Sequence, residues 1–350
     1  MPLEMTSLTQ ISSLDFDDII DVRSPAEFAE DHIPGAINLP ALSNRERAIV
    51  GTIYVQESAF KARRTGAALV ARNVADHIEQ SLTDRDGSWK PLVYCWRGGQ
   101  RSGSFASILS QIGWRAELVE GGYKSYRRLV VQALYKQSLS QRFILIDGNT
   151  GTAKTDILHA LAKAGAQVVD LEAMAAHRGS LFGAVPGGQP SQKAFEGRVA
   201  VALAALDTSQ PVFVEAESNK IGDLLIPPTL WHAMIAAPRI TISASLDARA
   251  DFLMRSYADL VEDQEELLTR IGKLSPYHAR DVTEHWRALA IGRNYRALAR
   301  ELMAQHYDPR YAKTYAKRDH EDLGQVCLPS LDPDNLALVA VPQILKLAGL

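Results

Sequence analysis

The chain is poor in cysteine: Cys95 and Cys327 are its two thiols in 350 residues. Two thiols cannot build the disulfide framework of a small secreted domain. A reducing compartment with one chemically special thiol is the better expectation. Long apolar runs are also missing, and no stretch reaches the roughly 18 residues of a membrane span. The opening MPLEMTSLTQISSLDFDDIIDVRS brings acids early and has no apolar core of a secretory leader. A soluble, cytoplasmic protein without membrane contact is therefore expected. Neither sign of charge is in excess, with a net of −3. Any nucleic-acid contact must then use a local basic patch. Internal repeats and low-complexity tracts are absent as well.

What is there reads as α/β. Asp18-Ile19-Ile20-Asp21-Val22, Pro91-Leu92-Val93-Tyr94-Cys95 and Ala116-Glu117-Leu118-Val119 are strand-like runs separated by helical patterns. Ser102 to Gly113 reads as a helix capped by Ser and closed by Gly. The span from Leu42 to Ser88 is mostly helical in pattern. A second α/β block opens at Arg142-Phe143-Ile144-Leu145-Ile146-Asp147, with further strands at 168–170 and 212–215. From Asp247 the sequence turns mainly helical. Such alternation predicts parallel sheets.

Cys95 ends a buried strand and is followed by Trp96-Arg97-Gly98-Gly99-Gln100-Arg101-Ser102 at the start of a helix. A loop in that context turns successive N–H groups inward, and the helix N-terminus adds positive potential. Two glycines permit tight curvature, and Arg97 and Arg101 supply cationic donors. These features lower a thiol's pKa and make Cys95 a nucleophile beside an oxyanion site. The alternative is an inert strand-end thiol, which needs neither the glycines nor the arginines. Cys327, in Gly-Gln-Val-Cys-Leu-Pro, has no such surroundings and reads as structural.

Gly148-Asn149-Thr150-Gly151-Thr152-Ala153-Lys154-Thr155 follows a strand and opens a helix, which is the context of a phosphate-cradling P-loop. Lys154 would reach the terminal phosphates and Thr155 would ligate Mg2+. Alanine at 153, in place of the usual glycine, fits only if that position is already helical. Glu215 and then Glu217, at the end of a strand, are candidates for holding metal-bound water, a solvated strand end being the alternative. His177, Arg178 and Ser180 are candidate phosphate or base contacts. Haem, flavin and nicotinamide are not expected.

The residues also carry resemblances. Asp21-Val22-Arg23-Ser24-Pro25-Ala26-Glu27-Phe28 with His32-Ile33-Pro34-Gly35-Ala36-Ile37-Asn38 resembles the N-terminal signature of rhodanese domains, and Cys95 matches their persulfide-forming cysteine. Asp21, Arg23 and Glu27 are then expected to pair or brace the loop. Many rhodaneses place four residues between Cys and Arg; here there are five. That spacing also occurs in cysteine phosphatases, although Tyr94 stands where those usually carry His. From about Phe16 to about Arg318 the chain resembles the tRNA 2-selenouridine synthases, through Tyr94 to Ser102, Asp170-Leu171-Glu172, His177 to Ser180, and Glu215-Ala216-Glu217-Ser218. Ala153 and Ala216 depart from that pattern. The resemblance implies replacement of sulfur by selenium in wobble 2-thiouridine of tRNA. It implies selenophosphate as selenium source, with a selenophosphate-producing enzyme as partner, and an S-geranyl intermediate made from geranyl diphosphate. A sulfurtransferase with a regulatory P-loop domain, a cysteine phosphatase and a non-catalytic anion-binding module are the competing readings.

The domain reading is a rhodanese-like domain over 1–128, a linker helix over 129–141, and a P-loop domain with a helical extension over 142–350. Residues 280–318 carry nine Lys/Arg against four Asp/Glu, a surplus that suits an RNA backbone. Arg293, Arg296 and Arg300 share one predicted helix face. Arg310, Lys313, Lys317 and Arg318 follow, interleaved with tyrosines fit for unstacked anticodon bases. A solvated charged face is the alternative.

Overall fold

A computed structural model describes residues 2–13, 15–216, 218–315 and 321–350. Chain contacts divide it into two units, Met1–Ser138 with Pro190–Ala205, and Leu139–Gln189 with Leu206–Leu350.

The first unit begins with β1 (Asp18–Asp21), α1 (Pro25–Glu30) and β2 (Ala36–Asn38). Two helices follow. α2 (Asn44–Gln56) is capped by Ser43, whose side chain accepts from the Glu46 N–H. α3 (Ala59–Gln80) buries a stripe of Ala62, Gly66, Val70 and Val74 at four-residue spacing. β3 (Pro91–Tyr94), α4 (Gln100–Ile112), β4 (Glu117–Leu118) and α5 (Tyr123–Tyr135) complete the run. The sheet is parallel, in the order β2-β1-β3-β4. β3 lies inside it and is buried along its length, as a continuous apolar run requires. Ile20, Val93, Phe105 and Leu109 form the core, with Trp89 and Trp114 edge to face at 5.0 Å. α5 buries Tyr123, Tyr126, Val130 and Leu134. The linker helix anticipated over 129–141 is thus an integral helix that starts earlier and stops at Tyr135.

In the second unit, β5 (Arg142–Asp147), α6 (Lys154–Lys163), β6 (Gln167–Val169) and α7 (Leu171–Ala175) follow in order. Then the chain leaves it. α8 (Gln192–Ala204) belongs to the first unit, packed on α5. Arg127 pairs there with Glu196, and Tyr135 Oη donates to Glu196 Oε1 at 2.6 Å. Gly197 makes this close approach feasible, since a Cβ there would sit 2.4 Å from the Tyr126 hydroxyl. The chain returns through β7 (Pro211–Glu215), the short hairpin of β8 (Lys220–Ile221) and β9 (Leu224–Leu225), α9 (Pro228–Ala236) and β10 (Arg239–Ala244). The helices α10 (Leu246–Ser256), α11 (Ala258–Glu262), α12 (Gln264–Gly272), α13 (Arg280–Ile291), α14 (Tyr295–Leu302) and α15 (Asp308–Tyr315) come next. A last strand, β11 (Asp322–Leu328), precedes the closing helical turns. The five-stranded sheet is parallel, ordered β11-β10-β5-β7-β6. β5, the strand that feeds the P-loop, is central. The helical part has its own core around the fully buried Trp286.

The mixed α/β class with two parallel sheets and a helical C-terminal part agrees with the sequence reading. β11 is an addition to it. No helix among the described residues is long and apolar enough to cross a membrane.

Candidate functional site

In the first unit the end of β3 delivers Cys95 into a loop closed by α4. Cys95 is buried. Its Sγ accepts from the Gly99 N–H at 3.2 Å and from Ser102 Oγ at 3.1 Å. Burial pushes the thiol upward, but these bonds, with the N–H groups of Ser102 and Arg97, outweigh it and hold the thiol below its ordinary value. Of the two loop glycines only Gly98 takes a positive φ, +65°. The tighter requirement lies downstream at Gly122. Its φ is +59°, and a Cβ there would stand 2.2 Å from the Cys95 carbonyl oxygen. The N–H groups of Tyr123 and Lys124 donate to the carbonyls of Cys95 and Trp96 at 2.8 and 3.2 Å. The loop is therefore strapped to the first turn of α5.

Asp21 and Arg23 form a buried bidentate pair, 2.6 Å at its shortest, and Arg23 also donates to the Asp31 carbonyl. Arg23 lies 4.0 Å over the Tyr123 ring, which in turn stacks on Trp96 at 5.2 Å. Glu27 takes Arg101 at 2.8 Å and Arg47 at 3.1 Å. Arg101 thus departs from the expected role of a donor facing the sulfur, because the half-buried Glu27 carboxylate captures it. A phosphatase needs that arginine on the substrate, so the pairing speaks against that reading. Arg97 and Gln100 are exposed.

In the second unit, residues 148–155 wrap the end of β5. Gly148 N–H donates to Asp147 Oδ1 at 2.7 Å, Thr152 Oγ1 to the Asn149 carbonyl at 2.8 Å, and Lys154 Nζ to the Gly148 carbonyl at 3.0 Å. Arg249 donates twice to the Thr150 carbonyl and forks onto Asp308 at 2.7 and 2.9 Å. Ala153 corrects the sequence reading. It is not helical but left-handed, at φ 59° and ψ 32°, a conformation that costs an L-residue about 1–2 kcal/mol. Core contacts of its buried methyl hold it there.

The carboxylate that meets the Thr155 hydroxyl is one the sequence reading did not single out as a metal or water-positioning group. Thr155 Oγ1 donates to Glu172 Oε2 at 2.9 Å. Glu215 lies one layer deeper and is fully buried. Its Oε1 accepts from the Glu172 N–H at 2.8 Å, and its Oε2 has no hydrogen-bond partner. Burial, then the neighbouring Asp170 and Glu172, push its carboxyl well above the usual range. Glu215 therefore stands behind Glu172 and does not front the loop. The signal for Glu172 was present in Asp170-Leu171-Glu172, but strand-end position alone favoured Glu215. Glu217 lies outside the described residues.

The P-loop borders a cavity lined by residues 150–156, Glu172, Arg178, Ser180, Tyr257 and Tyr307. Arg178 is held by Asp259 at 2.9 Å, and Ser180 Oγ lies 3.0 Å from Tyr257 Oη. Arg178 Nη1 is buried without a partner. His177 is not among the residues lining this cavity; its half-buried ring is held below its ordinary pKa by burial first and by Arg270 second. A second, largely apolar cavity adjoins the first. It shares Thr150, Ser180, Leu253, Tyr257 and Tyr307 with it and continues between Phe182, Leu260, Leu298 and Leu302.

The anticipated basic face on α14 is neutralised. Arg296 pairs with Asp247 and Asp251 at 2.9 and 2.6 Å, and Arg300 pairs with Asp247. These aspartates lie on α10, some fifty positions away in sequence and so invisible to a local charge count. Arg293 turns the corner after α13 at φ 55°. Arg310 lies 4.4 Å over the Tyr277 ring. The side chain of Lys313 is not described, and Lys317 and Arg318 lie outside the described residues.

Two family models match the chain: a Rhodanese-like domain over residues 6–129 and a tRNA 2-selenouridine synthase AAA domain over residues 141–279. Among the relatives named tRNA 2-selenouridine synthase, three illustrate the match. That of Nitrosomonas europaea is 36% identical over 68% of this chain and 63% of its own length. That of Hahella chejuensis is 33% identical over 86% of both chains. That of Alcanivorax borkumensis is 31% identical over 86% of this chain and 90% of its own. The match thus spans just under two thirds of the first relative's length and nearly all of the other two.

Proposed function

The chain belongs to the tRNA 2-selenouridine synthase family, and we propose that it is an enzyme that converts wobble 2-thiouridine of tRNA into 2-selenouridine through an S-geranyl intermediate. The observation that carries the finer reading is the pair of adjoining cavities. A P-loop that served a nucleotide would adjoin a site for a base and a sugar, with polar groups to read them. Here the anion site continues into an apolar cavity walled by leucine, phenylalanine and tyrosine, which suits a diphosphate carrying an isoprenoid tail. Burying such a tail contributes about 0.8 kcal/mol per methylene.

In the first step the C1–O bond of geranyl diphosphate breaks as the C1–S bond to the thionucleoside forms, and diphosphate leaves. The P-loop N–H groups and Lys154 hold the departing charge. Arg178 Nη1, without a partner, is a further donor within the same cavity, which the Tyr307 ring also lines. Thr155 and Glu172 form an oxygen donor set that fits Mg2+, with the remaining positions left to phosphate and water. Bound there, the metal would neutralise charge on the diphosphate.

In the second step selenium of selenophosphate attacks C2, geranylthiolate leaves, and water cleaves the P–Se bond to release phosphate. The Cys95 loop supplies N–H groups for the oxyanion and a thiolate-prone sulfur beside it. Mass spectrometry of tRNA nucleosides tests both steps, with 2-thiouridine tRNA, geranyl diphosphate and selenophosphate as substrates. The wild type should yield 2-selenouridine. Cys95→Ala should stop at the geranylated nucleoside, and Lys154→Ala should leave 2-thiouridine. Geranyl-independent sulfur transfer from thiosulfate by the wild type would refute the scheme.

A further inference from the structure

With Arg296 and Arg300 spent on aspartates, the phosphate-binding surface must be sought elsewhere. Helix α5 offers one. Its sequence YKSYRRLVVQALY contains no acid. Lys124, Arg128, Gln132 and Lys136 follow one another at four-residue spacing and are all exposed, on the side away from the buried Tyr123, Tyr126, Val130 and Leu134. Arg127, one position round the helix, is paired with Glu196 and contributes to packing. From Lys124 to Lys136 the stripe runs about 18 Å along the helix.

The stripe is tied to the chemistry at one end. Lys124 and Tyr123 are the residues whose N–H groups hold the Trp96 and Cys95 carbonyls. Trp96, partly exposed, shares a groove with Lys124, Arg128, Gln132 and Lys136. Its indole is backed by Tyr123 at an interplanar angle of 29°, and Tyr123 by Arg23. A supported aromatic face at the end of a row of exposed cations is the arrangement by which proteins hold single-stranded nucleic acid: charges follow the phosphates and the ring takes an unstacked base.

We infer that α5 is the rail on which the RNA substrate docks, its phosphates on Lys124, Arg128 and Lys136 and the base next to the reacting nucleoside stacked on Trp96. This rests on the RNA-modifying reading above. Positive charge alone would serve an acidic peptide equally; the backed indole selects RNA.

Fluorescence anisotropy of labelled tRNA with the full chain tests it across a salt series. The triple variant Lys124→Ala/Arg128→Ala/Lys136→Ala should bind at least tenfold more weakly. Its log K against log salt should lose about 2 from the slope, at about 0.7 per single-strand phosphate contact. Lys124→Arg/Lys136→Arg should keep wild-type affinity, which separates lost charge from lost fold. Trp96→Ala should lose about tenfold and Trp96→Phe much less. Wild-type affinity and slope in the triple variant would overturn the inference while leaving RNA modification standing. If the triple variant instead loses binding to polyglutamate but not to tRNA, the stripe is a protein-docking face and the inference falls. Absence of salt-dependent tRNA binding by the wild type would overturn the RNA-modifying reading itself, and the rail with it.

Discussion

Glu215→Gln should remove a pH-dependent weakness built into the second unit. Glu215 is fully buried, accepts one N–H, and has an unpartnered Oε2. Burial and the carboxylates of Asp170 and Glu172 raise its pKa well above the ordinary value. Below the unfolded pKa of about 4.3 the acid is protonated in both states and adds nothing to the pH dependence. Above it the unfolded chain releases the proton while the folded protein keeps it. Stability therefore falls by about 1.4 kcal/mol per pH unit, until pH passes the folded pKa. Glutamine keeps the shape and the acceptor but does not titrate. The gap in stability between variant and wild type should thus widen with rising pH, by about 1.4 kcal/mol per unit for as long as pH stays below the folded pKa. For a unit of 196 residues (51 from 139–189 and 145 from 206–350) that corresponds to about 3–6 °C in Tm. Differential scanning calorimetry in metal-free buffer, read on the transition that moves with Glu215→Gln, measures it. Parallel curves for the two proteins between pH 5 and pH 6 would show that Glu215 ionises freely in the folded state, and the account of its burial would be wrong.

Ser102→Ala removes the hydroxyl that donates to Cys95 Sγ. The thiol pKa should rise towards its ordinary value, and the pH–rate profile of iodoacetamide alkylation should shift to higher pH. Gly122→Ala forces a methyl into the Cys95 carbonyl at positive φ; a loss of about 2–4 kcal/mol is expected in chemical denaturation of the first unit. Arg249→Ala breaks the brace on Thr150 and abandons Asp308. Asp308 is partly exposed, so the cost should be about 2–3 kcal/mol, and calorimetric binding of inorganic diphosphate should weaken at least tenfold. Ala153→Gly relieves about 1–2 kcal/mol of left-handed strain but loses about 0.8 kcal/mol of methyl burial and a similar amount to chain entropy. The two sides nearly cancel, so its Tm should stay within about 3 °C of wild type.

The parts legible in the sequence were those written in consecutive residues. The strands ending at Tyr94 and Asp147 are apolar runs bounded by turn residues, and each feeds a loop whose glycines mark it. α6 begins at Lys154, within the loop that the sequence marks as opening a helix. What escaped depends on partners remote in sequence. Arg101 is diverted by Glu27, and Arg296 and Arg300 by Asp247 and Asp251. No periodicity announces such pairs. Strand-end position ranks Glu215 first and Glu217 next, with Glu172 not weighed, and it misleads for a related reason: a strand-end carboxylate can face the loop or the core, and depth is a tertiary property. Ala153 shows the opposite limit, where the residue argued for one conformation and the surrounding packing imposed another.

The excursion of α8 carries a consequence for biosynthesis. The first unit is built from residues 1–138 and 190–205, so its packing waits for 67 further residues (205 minus 138) to leave the ribosome. At about 5–20 residues per second that is a delay of about 3–13 s, during which the side of α5 that receives Glu196 and Gly197 has no cover. Chaperone capture should concentrate in that interval. A fragment cut at 138 should remain a client indefinitely, because the helix that would release it is encoded on the far side of the P-loop.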